Sequence, residues 1–470
     1  MSFVRILYYA ILISLFFPML IIFIIPNTSA FLHISLIGLF VLLSLVIGFN
    51  YKKMINYVNS LFKIPIFCYY AFFIVFCIIN ALLHLVSGYY QAPFYYYFWR
   101  VKDLIWVTML VYLLPVFGII LKISPKTITK IIYTMTCIII YIGIVQYIAF
   151  LWDNTILINI IECLAPGRVY REDVMDCRNL MRVYSIFDEP AMLAQFIFLF
   201  FPIMFNLALS KVNIFKNQFI NNFVKFTILP AMLIVLVFTK SPIFLVLCSI
   251  ETAVLLIWKY KKNIKKYFVY IFGIFWALIF ITGFLISNLQ NQIASTYLMR
   301  IIKFFSYITD LSSFILVEQS LGTRILSYII NFNIFLQHFW LGVGILNSEV
   351  FASKILTTLS YPITFELVKK FWNNQYAISL NHSVCYTTLA DNGIIGFIFF
   401  IYFYYKTYKI LLRLTKKQSG IIKVFCIGLS QSFIVMFINF FYNLSITNIT
   451  LWLFLGLVLM LVYNCRRIPN

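Results

Sequence analysis

Apolar runs of the length a bilayer requires, about 20 residues, recur along the whole chain and are separated by short polar stretches. Twelve of them predict membrane helices, at 4–25, 31–49, 65–86, 104–121, 131–152, 190–210, 224–238, 242–258, 267–288, 393–412, 421–441 and 448–464. The first is too long for a cleaved signal, lacks a small-residue cleavage site and is followed closely by a second span. Two stretches break the rhythm, a loop over 153–189 and a longer one over 289–392. Within the longer loop, "RILSYIINFNIFLQHFWLGVGILNSEVF" keeps its apolar residues on one helical face until Gly342 and Gly344. That pattern predicts a short interfacial helix ending in a tight turn. The fold class expected is an all-α polytopic integral membrane protein, one transmembrane domain over 1–470.

Composition agrees: of 470 residues, 63% are hydrophobic and 11% charged, against roughly a quarter charged in soluble domains. The charge is distributed by side. Loops 50–64, 122–130, 211–225, 259–266 and 406–423, with both termini, hold 23 Lys/Arg and no acid. The remaining segments hold 13 of each sign, and the fourteenth acid, Glu251, lies inside the predicted eighth span. Positive residues stay cytoplasmic, so both termini are expected inside, with the two long loops on the far face. The net charge of +22 is then a topology signal. A nucleic-acid partner is not expected, because "KYKKNIKK" is only a short turn without a surface of stacking aromatics. The nine cysteines show no zinc spacing; Cys163 and Cys177 share the first long loop, and their pairing is left open.

Candidate chemistry gathers on the far face. Seven of the eleven arginines are there: Arg100, Arg168, Arg171, Arg178, Arg182, Arg300 and Arg324. Lysine suffices for topology, whereas a guanidinium fork matches phosphate oxygens bidentately. Arg168, Arg171 and Arg178 have acids close by in the loop; Arg182 and Arg324 have none within their own helical turn. In "RVYSIFDEPAMLAQF", Asp188 and Glu189 precede Pro190, where acids face the positive end of a helix. Glu189 therefore has two readings, a dipole partner of the helix or a group orienting Arg182 or a substrate hydroxyl. Lys240, in the turn "TKSP", either approaches the same site or snorkels to headgroups; snorkelling is the expectation. Glu251 is read as pairing with Lys259 or Lys261. His382, in "SLNHSVCYTTLADNGIIGFIFF", is the candidate for proton transfer, since an imidazole titrates near neutrality. Asn381 and Asp391 are candidates to support it, with helix capping the alternative for Asp391. His84 and His338 are read as structural, and His33 lies at the outer end of a span. No HExxH, phosphate-binding loop, GxSxG or carboxylate cluster is present, so neither cofactor nor metal is expected.

These stretches, "RVYSIFDEP", the run from Arg324 to Gly344 and "NHSVCYTTLADNGIIG", together resemble the O-antigen polymerase and ligase superfamily. The resemblance extends over most of the length: twelve spans, termini inside, and a large periplasmic loop before the tenth span. One departure is "TKSP", where that superfamily often has a serine–arginine pair after the seventh span. The resemblance implies an enzyme of the bacterial inner membrane that acts on undecaprenyl-diphosphate-linked glycans as donor and acceptor. Arg182 and Arg324 would bind the diphosphate, His382 would act as general base, and glycosyl transfer would invert the anomeric centre without a metal. Membrane lipids and a chain-length regulator protein are the further partners it implies. Polymerase is the expectation; the alternatives are a ligase acting on lipid A core and a lipid-linked oligosaccharide flippase. A flippase should show internal repeats and charges lining many spans, and the halves 1–235 and 236–470 show no convincing repeat.

Overall fold

The computed structural model describes residues 2–14, 58–86, 114–164, 182–187, 190–241, 319–345, 347–349, 368–370, 376–378, 383–442 and 449–466. It also describes single positions between 41 and 56 and positions 248, 251, 255, 351, 352 and 355. The described chain is helical: α1 Ser2–Ser14, α2 Pro65–Val86, α3 Pro125–Leu151, α4 Thr155–Leu164, α5 Pro190–Ala208 and α6 Gln218–Phe238, followed by α7 Gln319–Gln337, α8 Val384–Lys417, α9 Gly420–Tyr442 and α10 Ile449–Arg466. Six of these, α2, α3, α5, α6, α8 and α9, are long and apolar enough to cross a membrane. That is the framework of a multi-pass membrane protein. The departure from an all-helical chain is a small antiparallel hairpin, Val368–Lys370 paired with Tyr376–Ile378.

Helix starts follow local chemistry. Pro65, Pro125 and Pro190 each open a helix, where the missing N–H costs nothing because that donor would be unpaired anyway. Ser124 caps α3 by accepting from the Thr127 N–H at 3.1 Å. Asn217 caps α6 through the N–H groups of Phe219 and Ile220. The expected spans at 65–86, 131–152, 190–210, 224–238, 421–441 and 448–464 each coincide with a helix to within a few residues, six at the start of α3 and α6. Those at 31–49, 242–258 and 267–288 lie mostly or wholly outside the described residues.

The chain divides into two compact units. The first holds α1, α3 to α6 and the first two-thirds of α9. Within it α3 and α6 approach closely at Gly143, where an added Cβ would sit 3.0 Å from the Val235 side chain. Helix α5 is buried along nearly its whole length and meets α9 at Gly428, whose Cβ would stand 2.6 Å from the Ile203 Cα. The second unit holds α2, α7, the hairpin, nearly all of α8, the end of α9 and α10. Aromatic rings join its helices: Tyr70 of α2 meets Phe403 of α8 and the fully buried Trp452 of α10, at centroid distances of 5.4 and 5.1 Å. Phe400 contacts Phe440 of α9 at 5.3 Å.

One boundary differs from expectation. The tenth span was predicted to begin at 393, but α8 begins at Val384 and runs to Lys417 with a break at Gly393. At 34 residues it would be roughly 51 Å long if straight, more than a bilayer core needs. The pair Asn392–Gly393, which by sequence reads as the turn admitting the chain to that span because glycine tolerates the backbone angle, is therefore a discontinuity within a helix, and the preceding loop ends at Ser383.

Candidate functional site

In the first unit the segment Arg182–Phe187 packs against helices rather than forming the free end of a loop. Val183, Tyr184, Ser185 and Ile186 are buried, so their backbone groups need protein partners. Gln146, a lone amide near the C-terminal end of apolar α3, supplies them: its Oε1 accepts from the N–H of Tyr184 at 2.9 Å and of Ser185 at 2.7 Å. The Ser185 hydroxyl donates to the Ile139 carbonyl, and the Val183 N–H donates to the Phe238 carbonyl at the end of α6. Ser185 takes a left-handed backbone, φ 52°, which this threading imposes.

Arg182 is thereby set beside the end of α6, where its Nε donates to the Thr239 carbonyl at 3.4 Å. The next residue is Lys240, which is only 8% exposed and also has a positive φ, 51°. Burial first, and the Arg182 guanidinium second, hold the Lys240 amine down at about 8. The snorkelling expectation for Lys240 is thus corrected: the turn keeps its amine inward, close enough to Arg182 to feel its charge. Two cationic side chains from separate stretches of sequence meet at one end of the α3–α6 pair. Such a doubled cation can bind an anion with two charges, and a phosphate is the group whose oxygens a guanidinium fork fits.

In the second unit Arg324 sits in the second turn of α7 and is partly exposed. The buried face of α7 carries Thr323, Leu326, Ser327, Ile330, Asn331 and Ile334, at the three-and-four spacing of one helical side. Tyr328, one turn beyond Arg324, stacks on Tyr386 of α8 at 5.1 Å. Ser383 caps α8: its hydroxyl accepts from the Tyr386 N–H and donates to the Phe440 carbonyl at 2.7 Å. The start of α8, immediately after His382, is therefore anchored to both α7 and α9. His382, Asn381 and Glu189 themselves lie outside the described residues, as do Arg100, Arg168, Arg171, Arg178, Arg300, Lys259 and Lys261.

Asp391 is buried and its Oδ1 accepts from the Ser348 N–H at 3.1 Å. It does not cap the second half of α8. Those first amides are taken by backbone, Ile394 N–H by the Phe339 carbonyl and Ile395 N–H by the Trp340 carbonyl. On the other side of the break the Ala390 and Asp391 carbonyls accept from Val343 and Gly344. The turn after α7 thus satisfies both new helix ends. It fits because Gly342 and Gly393 have positive φ and no side chain: a Cβ on Gly342 would lie 2.4 Å from the Asp391 carbonyl carbon, and one on Gly393 would lie 2.3 Å from the Trp340 oxygen. On α7 and at the start of this turn, Phe332, Leu336, Phe339 and Trp340 remain exposed, Trp340 at 67%, as an interfacial helix would require. His338 stacks edge-on against Phe351, with burial lowering its basicity, and His84 is hydrogen-bonded to the Gly342 backbone; both fit structural roles.

Sequence reasoning passed over Gln146 and Ser383. A single glutamine inside an uninterrupted apolar span was the available signal for Gln146; the serine beside His382 is the ordinary helix-capping residue. Neither the family models nor the curated proteins compared with the chain give a match.

Proposed function

We propose that this chain is a polymerase of undecaprenyl-diphosphate-linked oligosaccharide repeat units, a glycosyltransferase working at the periplasmic face of a bacterial inner membrane, with twelve spans and cytoplasmic termini. The observation that carries the reading is the pair formed by Arg182 and the buried Lys240, a cationic site suited to a lipid diphosphate. In this account the donor glycan already holds its energy in the anomeric phosphate bond. Arg182, with Lys240 beside it, binds the diphosphate and stabilises the charge that grows on it as the bond breaks; Arg324 is the second arginine proposed to bind diphosphate. His382 takes the proton from the acceptor sugar hydroxyl, whose oxygen attacks the anomeric carbon from the opposite face. The new glycosidic bond has inverted configuration, and undecaprenyl diphosphate leaves. Asn381 orients the imidazole, and Glu189 orients Arg182 or a substrate hydroxyl. The anchored start of α8 supports such a role for His382, because a base must be held within hydrogen-bond reach of its proton. A chain-length regulator is a fitting partner for a polymerase of this kind.

Silver-stained lipopolysaccharide from a deletion strain tests the reading. A single repeat unit on the lipid A core is the expected result, and complementation with His382→Ala should leave that phenotype unchanged. A complete polymer ladder from the His382→Ala strain would remove the general-base role. Loss of all core-linked polymer, with lipid-linked polymer accumulating, would instead identify a ligase. Absence of lipid-linked glycan from the periplasm would identify a flippase.

A further inference from the structure

The break in α8 gathers buried polar groups. Asn80 of α2 donates its Nδ2 to the Leu341 carbonyl at 2.7 Å and to the Asp391 carbonyl at 3.3 Å. Asn347 donates its Nδ2 to the Val343 carbonyl at 2.9 Å and lies against Gly344, whose N–H holds the Asp391 carbonyl. Ser348 holds the Asp391 carboxylate through its N–H. Thr388 is three residues before Asp391, on the same side of the half-helix. All five residues are at most 1% exposed.

Among the described residues, the Asn80 Oδ1, Asn347 Oδ1, Ser348 Oγ and Thr388 Oγ1 atoms have no hydrogen-bond partner. Oxygens left so in a buried site are costly, and four of them belong to residues at or next to one helix break. Two of them are amide oxygens, which only accept, and the neighbouring carboxylate is also an acceptor. Glu349, fully buried beside Ser348, brings a second carboxyl to the same segment. The Asn392 Nδ2 is an unpartnered donor at the same break, and the two hydroxyls each carry one proton while keeping lone pairs that can accept. Every unpartnered oxygen of the set offers a lone pair, and the set stands at the C-terminal end of a half-helix, where the dipole favours positive charge.

We infer that the break in α8 is a binding site for a sodium-sized alkali cation, held by the side-chain oxygens of Asn80, Asn347, Ser348, Thr388 and Asp391. Oxygen-only ligands select hard cations, and mostly neutral ones favour a single charge. Among the described residues no three His, Cys, Asp or Glu side chains gather, so nothing here is built for a transition metal. The cation would lock the turn after α7 to the broken helix, in the way discontinuous membrane helices bind sodium.

Thermal unfolding of the full-length protein in detergent, in sodium, potassium or choline chloride at equal ionic strength, tests this. Sodium should raise Tm saturably, by about 3 °C or more over choline, and potassium should do markedly less. Thr388→Val should move the sodium midpoint at least about tenfold higher, the loss of one ligand being worth one such factor. Should that variant not fold, direct binding of radioactive sodium to the wild-type protein decides, with about one ion per chain expected. Equal Tm in all three salts, or no bound sodium, would show that water alone fills the break; equal effects of sodium and potassium would contradict the sodium assignment.

Discussion

Lys240 is the residue whose chemistry departs most from its ordinary behaviour. Its amine titrates near 8 because the turn buries it and because Arg182 is close. The charged form that attracts a diphosphate is present below that value and lost above it. With diphosphate bound, the pKa rises again, so the titration belongs to kcat/KM rather than to kcat. Between pH 7 and pH 9, kcat/KM for the lipid-linked donor should fall about tenfold, following the protonated fraction of one group with that pKa. Lys240→Arg, which stays charged, should flatten this limb. An unchanged alkaline limb in the variant would remove Lys240 from donor binding. The sequence showed Lys240 only as a cation near a bilayer surface. Its inward position depends on a left-handed turn residue and on the packing of Arg182–Phe187, and neither has a signature of short range.

At the scale of elements, the broken helix is the feature the sequence half revealed. The pair Asn392–Gly393 marked a backbone that must bend, and Gly342 and Gly344 marked a second such place. What the pattern lacked was their meeting. Each glycine is required by the other's backbone, across some fifty residues of chain, and hydropathy along one strand of sequence carries no information about such a contact. The same holds for Gln146, whose partners Tyr184 and Ser185 lie in a distant loop. By contrast, helices bounded by proline, a capping serine or asparagine were legible to within a few residues, because their ends are decided locally. Gly393 has φ 62° and ψ −168°, a region open essentially to glycine alone, and its added Cβ would collide with the Trp340 carbonyl. Gly393→Ala should therefore destabilise the protein by about 3 kcal/mol or more, read as a lower unfolding temperature in detergent. Gly420→Ala is the comparison, since φ is also positive there, 56°, but no atom lies within 4 Å of its added Cβ; it should cost about 1 kcal/mol. Equal losses at the two sites would mean that the turn after α7 does not press on the break.

For the whole molecule, the apolar rhythm decided the class, and six described helices of membrane-crossing length agree with it. The expected sidedness and chemistry rest on charge, with lysines collected in some loops and arginines in others. Of the expected site, Arg182, Arg324 and Asp391 are described, and each has a different standing. Arg182 gained a cationic neighbour, Arg324 shares a helix with the tyrosine that reaches α8, and Asp391 belongs to the helix break. The central claim is that one chain joins lipid-linked repeat units without help from another enzyme. The direct measurement is to reconstitute the purified protein with lipid-diphosphate-linked repeat units isolated from the deletion strain, in a chelating buffer without nucleotide sugars. The account predicts a ladder of lipid-linked products longer than one repeat, abolished by His382→Ala. Repeat units that stay unextended, but are transferred once lipid A core is added, would contradict it.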